Sequence, residues 1–185
     1  VVAWGYNTSG QATVPAGLSN VIAVAGGLYH SVALKRDGTV VTWGDNGFNQ
    51  QQIPQGLTNV TVISAAYNYT LALTTNGTVT AWGDNFFGQL NVPEGLNNVV
   101  AIAAGLTHAL ALRKDGTVVA WGRGYARELG VPLAEGTFRP TQARVPGLRD
   151  VRQIATINGL AYAVLADGTV RAWGDVPRVI AGPQY

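Results

Sequence analysis

The side chains best equipped for chemistry in this chain are two histidines and a recurring aspartate. His30 and His108 are its only imidazoles, and the residue midway between them is Tyr69. A metal site or an acid–base pair would need the two rings to converge with other ligands or carboxylates. Their equal phase within a repeat points instead to a structural place, a hydrogen-bonded histidine of the core or rim. Asp45, Asp84 and Asp175 each follow a Trp-Gly pair. Calcium loops draw several oxygen ligands from alternating positions of one loop, whereas each stretch here supplies a single Asp, followed by Asn at 46 and 85. Capping of the local backbone suits such residues better. Ser31 neighbours His30 on one strand, so their side chains point to opposite faces. No phosphate-binding loop or pair of buried carboxylates stands out, and the absence of cysteine excludes disulfides and thiolate metal sites. These residues predict a protein that is not an enzyme and needs no metal or cofactor.

Binding chemistry is better represented. Tyr6, Phe48, Phe86, Phe87 and Tyr125 follow the Trp-Gly pairs by two to five residues, in a variable stretch before a proline. Tyr29, Tyr67 and Tyr69 stand at the entry to a predicted strand. If both sets open on one face, they form an aromatic-rich surface of the kind protein interfaces favour. Otherwise they pack between neighbouring repeats. Arg123, Arg127, Arg139, Arg144, Arg149 and Arg152 gather in and around the 133–145 stretch that holds Phe138, but Glu128, Glu135 and Asp150 interrupt them. A solvated loop with local ion pairs is favoured there; Phe138, Arg139 and Arg144 are retained as candidate contacts. The net charge is only +2, with −2 over residues 1–112 and +4 over 113–185. That balance is too small to imply a polyanion such as nucleic acid; the expected partner is a protein, or further copies of the chain. No apolar run approaches the ~18 residues of a membrane span.

The elements that must position these residues come from a repeat. Trp-Gly pairs begin at Trp4, Trp43, Trp82, Trp121 and Trp173, giving spacings of 39, 39, 39 and 52 residues. The units are 1–39, 40–78, 79–117 and 118–169, with an insertion at 133–145, then a partial unit at 170–185. Each contains three strand signals: a Trp-Gly run such as 40–43, a run such as 20–25, and one such as 30–34. Asp37-Gly38, Asn76-Gly77, Asp115-Gly116 and Asp167-Gly168 predict tight type I′ hairpins. Short antiparallel strands repeated at this period predict an all-β fold, a β-propeller of about four blades within one domain. The small residues Ala25, Gly26, Gly27, Ala103, Ala104 and Gly105 suit a crowded inner rim where blades converge, and all five Trp residues are expected in the core.

Four segments carry a family resemblance. They are Val-x-x-Ile-Ala-Ala-Gly at 99–105, His-Ser-x-Ala-Leu at 30–34, Asp-Gly-Thr-Val at 115–118 and Trp-Gly-Asp-Asn-x-x-Gly-Gln at 82–89. Together they resemble the regulator-of-chromosome-condensation repeat. The regular spacing and the Val-Pro-x-Gly-Leu loop are more similar to secreted bacterial members, one of which inhibits a β-lactamase, than to the nuclear exchange factor. The resemblance implies a seven-bladed ring, which this chain is too short to form alone. A part of a larger propeller, an arc completed by another chain, or a four-bladed ring is therefore expected. With no methionine present, Val1 is expected to be a processing site or the edge of a longer protein. The implied function is a protein-binding scaffold, secreted or at the cell surface. Its rivals are a structural subunit joined through open blade edges, an inhibitor of a secreted enzyme, and nucleotide exchange on a small GTPase.

Overall fold

The computed structural model describes residues 1–123, 143–145 and 147–174, and among these it contains thirteen strands and no helix. The first blade is β1 (Val21–Gly26), β2 (His30–Lys35) and β3 (Val40–Gly44). The second is β4 (Val60–Ala66), β5 (Tyr69–Thr74) and β6 (Val79–Gly83). The third is β7 (Val99–Ala104), β8 (His108–Arg113) and β9 (Val118–Gly122), with β10 (Ala143–Arg144) added on the outer edge of β9. The fourth is β11 (Val151–Ile157), β12 (Leu160–Leu165) and β13 (Val170–Gly174). Every sheet is antiparallel and follows chain order. In each of the four blades a Trp-Gly run is the third strand, so each blade crosses the boundary between two sequence units.

Local chemistry sets where these strands begin and turn. Asn20, Asn59, Asn98 and Asp150, just before the first strand of each blade, have φ of 57°, 57°, 53° and 56°. Asn and Asp tolerate this left-handed region better than other side-chain-bearing residues, and they redirect the chain into the sheet. The Asp-Gly hairpins differ from the type I′ expectation. Gly38 has φ +79° but Asp37 is not in the left-handed region, and the Gly38 amide donates to the Lys35 carbonyl at 3.0 Å. This is a type I turn followed by a left-handed glycine, the three-residue hairpin. Its Asp side chain accepts from the Thr39 amide at 3.0 Å and from the Thr39 hydroxyl at 2.6 Å. Those bonds, helped by Lys35, hold the Asp37 carboxyl down at about 2.

The core lies between blades. Val32 and Leu34 of blade 1 pack with Ile63 and Trp82 of blade 2; Leu71 and Leu73 pack with Ile102 and Trp121; Leu110 and Leu112 pack with Ala161 and Ala163. Burying a leucine of this kind stabilises by about 1.5–3 kcal/mol, so the joints, more than the separate sheets, hold the arc together. One Trp departs from the expected core placement. Residues 1–5 and β9 share the sequence Val-Val-Ala-Trp-Gly, yet Trp121 is 1% exposed and Trp4 is 85% exposed. In β9 the indole is enclosed by its own sheet and the neighbouring blade. Residues 1–5 pair with no strand among the described residues. Burial of this tryptophan belongs to the assembled blade, not to the pentapeptide.

Candidate functional site

Strand register decides where the candidate aromatics open. His30 pairs with Gly44, Tyr69 with Gly83 and His108 with Gly122. The turn between the first two strands and the start of the loop after Trp-Gly therefore share one end of each blade. Amide bonds fasten the two together: Asp45 to the Tyr29 carbonyl at 2.8 Å, Asp84 to that of Asn68 at 2.9 Å, Arg123 to that of Thr107 at 2.8 Å. The glycine between them has no alternative. Gly122 has φ +100°, and a Cβ there would sit 2.6 Å from the Thr107 carbonyl oxygen.

The loops on this end are braced by residues that sequence reasoning passed over. Gln11, Gln50 and Gln89 accept with Oε1 from the amides of Ser9, Phe48 and Phe87 at 2.9, 2.8 and 2.8 Å. Their backbone carbonyls accept from the indoles of Trp43, Trp82 and Trp121, each at 2.9 Å. One residue thus holds its own loop and clamps it beneath the next blade. Asn7, Asn46 and Asn85 add a second brace, accepting from the amides of Ala12, Gln51 and Leu90 at 2.8, 2.9 and 2.9 Å. The available signal was a glutamine recurring seven residues after each of three tryptophans.

On these braced loops the aromatics sit as follows. Tyr6 and Tyr29 are exposed, with ring centroids 6.2 Å apart. Phe48 is exposed at the next blade, and Tyr67 is half-buried with φ +47°. Phe86 is 83% exposed and meets the half-buried Phe87 edge to face at 4.9 Å. The Arg123 guanidinium lies 4.8 Å from the Phe87 ring centroid, a cation–π contact. Tyr69 must leave the candidate set. It is 0% exposed, and its hydroxyl donates to the His108 carbonyl at 2.6 Å, joining blades 2 and 3. Burial drives its phenol pKa upward, outside any physiological range. Arg144 lies in β10 opposite Val119. Tyr125, Phe138 and Arg139 lie outside the described residues, as does most of the 133–145 insertion.

The titratable groups have structural employment. The Asp45 carboxylate accepts from Gln50 Nε2 at 2.9 Å, and that of Asp84 accepts from the Phe86 amide at 2.9 Å. His30 Nε2 lies 2.9 Å from Thr70 Oγ1 across the joint between blades 1 and 2. His108, expected to be hydrogen-bonded too, has no partner on either ring nitrogen among the described residues. Burial lowers both imidazoles to about 4, with the Asp45 charge pulling His30 the other way. Among the described residues no group of three His, Asp or Glu side chains is placed to hold a metal ion.

Radially stacked antiparallel sheets, joined through interblade cores and presenting loops at one end, define a β-propeller repeat protein. Its repeat can be named more closely. Residues 21–50, 60–89 and 99–126 match the regulator of chromosome condensation (RCC1) repeat, so the chain carries RCC1-type repeats. Prp20p of Saccharomyces cerevisiae is similar at 27% identity with a TM-score of 0.71, over 83% of this chain and 45% of that one. The ectodomain of the Physcomitrella patens receptor kinase CR4 is similar at 23% identity and a TM-score of 0.71, over 95% of this chain and 47% of that one. Human WBSCR16 gives 22% identity and a TM-score of 0.68, over 83% and 48%. The last two likenesses are of fold alone. This chain thus spans under half the length of each of these proteins. Among curated proteins no sequence relative was found.

Proposed function

We propose that this chain is a non-enzymatic protein-binding scaffold that grips its partner with the aromatic loop end of the blades. The observation that carries this is Phe86, 83% exposed on a loop whose backbone is fixed from both sides by Asn85 and Gln89. A large apolar ring held rigidly in water loses little conformational entropy on binding, which is what an interface anchor needs. Charge is distributed to match. Lys35, Arg36, Asp37, Arg113, Lys114 and Asp115 lie at the opposite, hairpin end of the blades. The loop end carries Asp45, Asp84 and Arg123 among the described residues, and both carboxylates are engaged within their own loops. An aromatic, weakly charged surface suits a protein partner better than a polyanion. Prp20p, one of the similar structures, is a protein whose binding to Gsp1p and histones has been studied. We place this chain in a secreted or cell-surface setting, where inhibition of a secreted enzyme is one form such binding could take.

The test is a double substitution, Phe48→Ala with Phe86→Ala, in a chain used to capture partners from its source. Capture should fall by tenfold or more, since anchor residues carry about 2 kcal/mol or more each. Stability should stay within about 1 kcal/mol of the parent, because both rings stand in solvent. Undiminished capture by the folded variant would rule the loop face out.

A further inference from the structure

Blades 1 and 3 present a histidine at the same place, but the joints they enter differ where one offers a threonine and the other an alanine. His30 meets Thr70 of β5, the residue paired with Trp82. The corresponding residue of β12, paired with Trp173, is Ala161. His108 and Ala161 are both 0% exposed, and neither nitrogen of the ring finds a partner among the described residues. In the middle joint the histidine's place is taken by Tyr69, whose phenol does not titrate in acid and whose hydroxyl bonds the His108 carbonyl. The three joints therefore hold a histidine bonded across the joint through Nε2 alone, a tyrosine, and a histidine bonded through neither nitrogen among the described residues.

We propose that the joint between blades 3 and 4 is an acid-operated hinge, opening first as pH falls while blades 1 to 3 stay together. A buried imidazole without a partner already weakens the neutral joint relative to its His30 counterpart. Proton binding then favours the open form. The elements packed against β8 are β7, β9 and β11. β7 and β9 carry no titratable side chain, and β11 contributes the exposed Arg152 alone. No carboxylate from these strands is placed to receive a charged His108. Against β2 pack β1, β3 and β4, which also lack titratable groups, but Asp45 just beyond β3 attracts a charged His30.

The sign follows from where the proton binds. The closed joint holds His108 at about 4, below the ordinary value of 6.5 that an exposed ring regains. Closure is at full strength above about pH 6.5 and weakens as pH falls toward 4. His30 follows the same slope from a stronger starting point, so its joint yields later.

Hydrogen exchange of the whole chain at pH 7 and pH 5, corrected for intrinsic rates, tests this. Peptides covering β8 and β11–β12 should open about twenty-fold more at pH 5 than at pH 7, ahead of those covering β2 and β5. His108→Leu, which places at 108 the residue type that blade 4 has at Leu160, should abolish that pH dependence. Ala161→Ser, restoring a hydroxyl at the Thr70 position, should reduce opening several-fold at both pH values. Equal protection of the joint at pH 7 and 5 would overturn the proposal. So would an unchanged acid response in a folded His108→Leu chain, or, should that variant not fold, unchanged opening in Ala161→Ser.

Discussion

At the scale of single residues, the inner rim is governed by what each small residue makes room for. A Cβ on Gly105 would lie 2.7 Å from His108 Cε1, and one on Gly27 would collide with the His30 ring. Where the repeat puts Tyr69 in place of histidine, Ala66 replaces the glycine; where it puts Leu160, Ile157 does. Sequence reasoning found Gly27 and Gly105 but assigned them to blade convergence. The histidine three residues on is the actual cause, and the covariation was visible once the units were aligned. Gly105→Ala should cost about 1–3 kcal/mol through overpacking. Adding His108→Tyr reproduces the blade 2 pair and should recover most of that loss in denaturant unfolding. A neutral Gly105→Ala would mean that the imidazole can swing aside. The tyrosine pair shows a different limit. Tyr67 and Tyr69 lie two residues apart in sequence, but one is on a turn and the other in a joint, a distinction that appears only with the register.

At the scale of elements, the strands were legible because β-branched and apolar residues alternate between Asn and Asp-Gly boundaries. Among the described residues the predicted strands formed within about two residues of their expected limits, except the first Trp-Gly run at residues 1–5, which forms no strand. Turn type was not legible, since Asp-Gly satisfies both a type I′ turn and a type I turn followed by a left-handed glycine. The loop braces were missed because a glutamine carries no turn or strand signal of its own. Yet Gln50 is completely buried and links the Phe48 amide, the Asp45 carboxylate and, through its carbonyl, the Trp82 indole. Gln50→Ala should destabilise by about 1 kcal/mol or more by leaving a partly buried amide and carboxylate without this partner. Because the carbonyl–indole bond uses backbone, native Trp82 fluorescence should persist while the Phe48 amide exchanges faster. A loss of the Trp82 signal instead would show that side chain and clamp are one unit.

At the scale of the whole molecule, the 39-residue beat specified a propeller-type stack, and the RCC1-type repeat bears that out. What the beat could not specify is how the two flanks of the arc are covered. Val24 of blade 1 and Val170 of blade 4 are each 61% exposed, whereas their counterparts Ile63 and Val118 are buried in joints. Those flanks favour the rival in which blades assemble edge to edge, while the aromatic loop end favours a partner on one face. Convergence of the two aromatic sets on that end was conditional in the sequence and rests on the pairing of His30 with Gly44 and its repeats. Hydroxyl-radical footprinting of the chain with and without a captured partner distinguishes these surfaces directly. The account predicts protection of Tyr6, Tyr29, Phe48 and Phe86, with Val24, Val170 and the hairpin-end residues unchanged. Protection of the flanks or of the hairpin end, with Phe86 still fully reactive, would contradict it.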